Sequence, residues 1–340
     1  MATIRALIIL AALLATSGTA TAQPVEAFYK GRTINVYIGF ATGGTYDMYA
    51  RLVARHMGRY IPGNPLIVAQ SMPGAGSTKA ANYVFAVAPK DGSALGVVSQ
   101  TVAAEEALGN AGVAYKSTQF TWIGRVAAVV EVMVGWRGST FADVGWAREH
   151  EVAFGTTGPG SPSEGSPRLL NGAAGMRFRV ISGYPTSSDC LLALERREID
   201  ASFFPWSALK AAKADWLRDG RVNILAQAAL ERSADLPEVP TVIELGRSEA
   251  DRQLLAFFTS TAEVGRAIMA PPGVPAERAA ALRAAFDRTM TDPAFLADAE
   301  RAGAALSPLS GSELQALIAR TMTASPELIA RMKAMLHAGR

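Results

Sequence analysis

The sequence predicts an α/β protein with mainly parallel sheets, divided into two domains. Strand-like and helix-like segments alternate over the first two thirds, an order that builds parallel sheets covered by helices. The pattern restarts near residue 126, after which a long apolar run reaches Trp136. Glycine-rich turns recur where strands give way to helices. A length of 340 residues suits two ordinary domains or one large one.

Each element follows from composition and periodicity. Residues 34–40 are rich in β-branched and aromatic side chains and read as a buried strand. After a glycine turn, Leu52, Val53, Met57 and Tyr60 recur at helical spacing within 46–60. Residues 66–70 form a second strand, followed by a turn and a helix pattern carrying Ala80, Ala81, Val84 and Phe85; residues 94–99 form a third strand. The run 126–136 is long enough to pass from one domain to the next. Beyond it, 152–154, 178–181, 199–204 and 222–226 read as strands, with helices near 141–150, 166–172 and 189–197. The last third is helical: 276–290 is amphipathic with Pro275 near its first turn, and Asp292-Pro293, Ser312 and Ser325-Pro326 mark further starts. The domains are expected at 23–125 plus 245–340 and at 126–244.

Composition narrows the class. Hydrophobic residues make up 49% and charged residues 19%, the profile of a globular chain with a sizeable core. A formal charge of +3 without a run of five or six like charges argues against nucleic acid as a partner. At the N-terminus Arg5 precedes an apolar stretch, 6–15, and Ala20-Thr21-Ala22 supplies a cleavage site before Gln23. That order reads as a signal peptide over 1–22 and places the mature protein in the periplasm. The single cysteine, Cys190, leaves no internal disulfide and reads as a buried small hydrophobe.

Three turns carry the chemistry. The first is Gly39-Phe40-Ala41-Thr42-Gly43-Gly44-Thr45-Tyr46-Asp47, the second Pro73-Gly74-Ala75-Gly76-Ser77-Thr78, and the third Thr156-Thr157-Gly158-Pro159-Gly160-Ser161-Pro162-Ser163. Each follows a strand and precedes a helix. Ligands bind at the carboxyl ends of strands in such sheets, glycines let the backbone approach, and a helix N-terminus favours an anion. None of the three turns carries a lysine or arginine, so an anion there is expected to be held by N–H groups, hydroxyls and helix dipoles, without a buried ion pair. Taken singly, each turn reads better as a tight turn with a helix cap, and Asp47 as a partner for the helix dipole; three such turns in one chain point instead to a shared cleft.

Enzyme signatures fail. Gly39 and Gly44 have P-loop spacing, but Thr45 follows where lysine is required, and the pair Gly74 and Gly76 lacks a third glycine at Lys79. Ser161 and Ser163 lie outside any Gly-x-Ser-x-Gly. His56, His150 and His337 are scattered, without metal-ligand spacing, so neither a metal nor another cofactor is expected.

At these junctions the chain resembles the periplasmic solute receptors of tripartite tricarboxylate transporters, the Bug family. Gly39 to Arg51 resembles the family's Pro-Phe-x-x-Gly-Gly-x-x-Asp-x-x-Ala-Arg, and Met72 to Ser77 its Arg-Pro-Gly-Ala-Gly-Gly turn. Lys90-Asp91-Gly92, Thr157 to Ser161, Leu236 to Glu244 and Ala270-Pro271-Pro272-Gly273 resemble four further motifs in the family's order. The resemblance implies a type II periplasmic-binding fold: two α/β lobes joined by a two-crossover hinge, with the C-terminal third back on lobe one. It implies a small organic anion, a carboxylate, captured between the lobes by closure, without catalysis, and passed to the membrane permease subunits of a tripartite transporter by a monomeric receptor. Carried over by position, Phe40, Thr42, Gly43, Gly44, Tyr46, Asp47, Gly74, Ala75, Gly76, Ser99, Gly160 and Ser161 would line the cleft, with Tyr184 beside them. Ser182-Gly183-Tyr184-Pro185-Thr186 departs from the family's Val-Pro-Tyr-Lys/Arg-Gly, Thr42 replaces a frequent proline and Met72 an arginine. These changes count against the usual dicarboxylate ligand and mark a divergent member. Two alternatives stay open: a ligand-sensing module for a membrane signalling partner, and a secreted enzyme acting on a small carboxylic acid or ester.

Overall fold

A computed structural model describes residues 24–337 except 140 and 142. The signal-peptide reading falls on 1–22, outside the described residues.

The chain forms two α/β lobes, each around its own sheet. The first sheet has strand order β11-β4-β10-β3-β1-β2. It comprises β1 (Thr33–Ile38), β2 (Leu66–Ser71), β3 (Ala94–Val97), β4 (Thr121–Arg125), β10 (Ala267–Ala270) and β11 (Leu309–Ser310). The second has the order β7-β6-β8-β5-β9. It comprises β5 (Glu131–Trp136), β6 (Val152–Thr156), β7 (Phe178–Ser182), β8 (Ala201–Pro205) and β9 (Val222–Ala228). Among the named strands, parallel pairing joins β1 with β2 and β3, and β6 with β7 and β8. The strands that enter from the crossovers, β4, β5 and β10, and the edge strands β9 and β11 pair antiparallel. Each sheet is therefore mixed rather than mainly parallel, because a strand arriving from the other lobe need not follow a helical crossover.

The cores explain the sequence pattern. Ile34, Val36 and Ile38 of β1 are buried against Leu52, Val53 and Met57 of the helix Thr45–Met57 and against Phe286 of the helix Ala276–Met290. The apolar run from 126 divides: 126–130 crosses between lobes and β5 begins at Glu131. The helix expected near 141–150 reduces to a short 3₁₀ turn, Val144–Arg148, whose start is held by Asp143 accepting from the Gly145 N–H at 2.7 Å. The helix Glu249–Thr259, unmarked in the sequence reading, places Leu254, Leu255 and Phe258 in the second lobe's core. The last helix, Pro326–His337, adds Met332 and Leu336 to that same core, whereas Leu314 and Ile318 of the preceding helix Gly311–Thr321 lie in the first lobe. We therefore draw the second crossover at 260–266 rather than at 245, and assign 326–337 to the second lobe, so that the chain passes between lobes a third time at 322–325.

The two main crossovers run side by side as a hinge. Val126 donates its N–H to the Arg266 carbonyl at 2.9 Å, Arg266 donates to the Ala127 carbonyl at 2.8 Å, and Val129 donates to the Ala262 carbonyl at 3.2 Å. Gly265 adopts φ +56° there, the left-handed region that glycine tolerates without a Cβ penalty.

Candidate functional site

A cleft opens between the lobes at the ends of the parallel strands. Lobe one contributes Phe40, Gly44, Thr45, Tyr46 and Arg266; lobe two contributes Glu131, Thr157, Pro162, Ser163, Thr186, Ser187, Phe203 and Pro205. The space within these walls comes to about 460 Å³, open solvent included.

Three helix N-termini lie on its wall: Thr45–Met57 from lobe one, and Pro162–Ala174 and Ser187–Glu195 from lobe two. A helix's first N–H groups have no intrahelical acceptor, and its dipole places partial positive charge there. The local sequence produces these starts. Gly44 is the extended N-cap of the first helix, and Pro162 takes the first position of the second, where its missing N–H costs nothing. At the third, Thr186 accepts from the Asp189 N–H at 3.3 Å while Asp189 accepts from the Thr186 N–H at 2.9 Å, a reciprocal cap.

The floor holds two charged residues. Arg266 is 2% exposed. Its guanidinium carbon lies 3.9 Å from the centre of the Tyr46 ring, which also stacks on Phe40 at 4.3 Å. Nη1 donates to the Gln100 Oε1 and Nη2 to the Thr45 Oγ1, both at 3.3 Å, and the Nε–H has no partner among the described residues. Tyr46 accepts at its hydroxyl from the Gln100 N–H at 3.1 Å, and burial pushes its phenol above the usual tyrosine range while Arg266 opposes that shift. Glu131 opens β5 opposite. Burial raises its carboxyl, and the positive charge of Arg266 acts in the other direction.

Of the residues expected to bind, Phe40, Gly44 and Tyr46 line this cleft. Gly43 lies on an adjoining groove together with Gly44. Asp47 is turned to structure: it accepts from the Gly43 N–H at 3.0 Å and from Arg51 Nε at 2.7 Å, fixing the turn that presents Gly44. The Thr42 hydroxyl is within 2.9 Å of Ser71 Oγ on an exposed flank. Gly74, Ala75 and Gly76 are not among the residues that line the cleft; Ala75 and Gly76 abut the third turn. A Cβ on Gly76 would lie 2.3 Å from the Pro159 carbonyl oxygen, and Thr101 Oγ1 donates to the Gly160 carbonyl at 2.7 Å. Gly160 and Ser161 line a second, smaller pocket with Glu105 and Arg168. Ser161 spends its hydroxyl on the Gly158 carbonyl at 2.6 Å. The Ser99 hydroxyl sits 2.6 Å from Thr101 Oγ1, and Tyr184 packs beside Ile181 and Ile199 in a core behind β6. Arg266 corrects the expectation of a site without a buried cation. It stands far from all three turns in sequence and reaches the cleft only because the crossovers pair.

The family description "Tripartite tricarboxylate transporter family receptor" matches residues 49–333. The chain belongs to this receptor family. An Agrobacterium vitis protein of the TAR-I ttuE-ttuC' intergenic region is 29% identical over 286 residues, covering 81% of this chain and 77% of its own. Among solved structures, the periplasmic binding protein BugD superposes with TM-score 0.70 at 21% identity, covering 90% of this chain and 98% of its own. MatC of Rhodopseudomonas palustris, with bound malate, gives TM-score 0.67 at 24% identity, covering 90% and 99%. An R. palustris protein with adipate gives 0.69 at 21%, covering 89% and 97%. Receptors of this family are periplasmic binding proteins, and the two-lobe fold is theirs.

Proposed function

We propose that this receptor is exported, captures a small organic carboxylate in the interlobe cleft and presents the closed form to the membrane subunits of a tripartite transporter. The observation that carries the reading is the convergence of three helix N-termini and Arg266 on one cleft walled by both lobes. N–H dipoles and a guanidinium favour an anion there. A ligand touching both walls has a higher affinity for the closed form, and that difference alone shifts the equilibrium. The carboxylates bound by the two R. palustris relatives, malate and adipate, support the same ligand class. We assign Phe40, Gly44, Tyr46, Thr157, Ser163 and Arg266 to the ligand contacts.

The test is a thermal-shift panel of the mature chain against mono-, di-, hydroxy-, amino- and aromatic carboxylates. Saturation at about 100 times Kd adds roughly 2.7 kcal/mol to folding stability. A folded protein that no acid stabilises, but that a neutral solute does, overturns the reading.

A further inference from the structure

The cleft floor holds one charge of each sign. Arg266 ends the second crossover where it enters lobe one, and Glu131 follows directly on the first crossover where it enters lobe two. Glu131 is 8% exposed and lines the cleft. No hydrogen bond or ion pair within 4.0 Å reaches its carboxylate from the described residues. Opposite it in register stand Pro205 and Ala228, neither of which carries a side-chain donor. Its carboxylate is left to the cleft it lines, and a ligand that brings a donor pairs it there. A second carboxylate placed there would meet like charge in a low-dielectric site.

We propose that Glu131 selects the ligand's second polar group: the receptor takes a small carboxylate that also carries a hydrogen-bond donor, an amide, hydroxyl or ammonium, and discriminates against plain dicarboxylates. The carboxylate faces Arg266 and the helix N-termini, and the donor faces Glu131. This rests on the receptor reading above and narrows its ligand class.

The experiment measures Kd at pH 8 for linear dicarboxylates of three to six carbons, for their monoamides, and for the corresponding hydroxy and ω-amino acids. Wild-type protein is compared with Glu131→Gln. Wild type is expected to hold the donor-bearing members at least about tenfold more tightly. Glu131→Gln, whose amide both donates and accepts, is expected to compress that ratio several-fold. Plain dicarboxylates bound as tightly as their monoamides, or a ranking that Glu131→Gln leaves unchanged, overturn the inference while the receptor reading stands. If the folded protein binds no acid, both fall together. Should Glu131→Gln fail to fold, the wild-type ranking decides alone.

Discussion

Gly265 and Ala127 meet so closely that a Cβ on the glycine would lie 1.9 Å from the alanine carbonyl oxygen. The contact holds the two crossovers in register and sets Arg266, the next residue, on the cleft floor. Gly265→Ala is expected to cost at least about 2 kcal/mol, combining left-handed strain with displacement of backbone. Gly138→Ala is the control. It also has positive φ, +81°, but nothing lies within 4 Å of its Cβ, so strain alone, about 1 kcal/mol, remains. Urea midpoints of the two variants check the difference; equal losses would mean that the crossover contact contributes nothing.

Gly76 tests closure through binding rather than through stability, since its φ of +56° strains any side chain in open and closed forms alike. Its Cβ would strike Pro159 and Ser161 of the opposite lobe, at 2.3 Å from the former's oxygen and 2.7 Å from the latter's nitrogen. Gly76→Ala is expected to disfavour the closed form, raising Kd for the acid found in the panel by about tenfold, equivalent to about 1.4 kcal/mol. Small-angle scattering is expected to show a larger radius at saturating ligand than for wild type. Unchanged affinity would mean that the two turns separate in the bound state.

Acid stability has a local origin. The Asp298 carboxyl is held at about 2, against 3.8 normally, by a hydrogen bond with His56 Nε2 at 2.9 Å and by Arg55 at 2.8 Å. Because the folded value is depressed, its contribution is fully present above the unfolded value. It is lost as pH falls from about 4 to about 2. Asp298→Asn is expected to lower stability at pH 6 and to flatten the loss across that window, read from urea unfolding at pH 2 to 6.

Cys190 is fully buried, and burial pushes its thiol up to about 12. Since the thiolate is the reactive form, an aromatic disulfide reagent at pH 8 is expected to leave the native protein unmodified and to label one thiol in urea. Prompt labelling of folded protein would place Cys190 at a surface.

Much of this was legible because it is local. The helix Ala276–Met290 follows from periodicity and Pro275, β2 was read at 66–70, and the first turn offered its glycines and aromatic residues directly. The second and third turns were legible as turns but not as partners. That Gly76 seats against Pro159 and Gly160 depends on how the lobes dock, which no spacing in the chain encodes. One miss did leave a trace: Ser248, three residues before Asp251, caps the unmarked helix Glu249–Thr259, just as Thr186, three before Asp189, caps the expected helix Ser187–Glu195. Arg266 left none. A lone arginine after a glycine and before a four-residue strand acquires its meaning from Tyr46, Gln100 and Thr45, more than 160 residues away.

The final helix, anchored on the lobe opposite its predecessor, makes 322–325 a tether that must stretch or pivot whenever the lobes part. The widest gape of the receptor is thus bounded by the span of four residues, about 13 Å when extended. A reporter fused behind residue 337 will travel with the second lobe, although most of the chain's last quarter travels with the first.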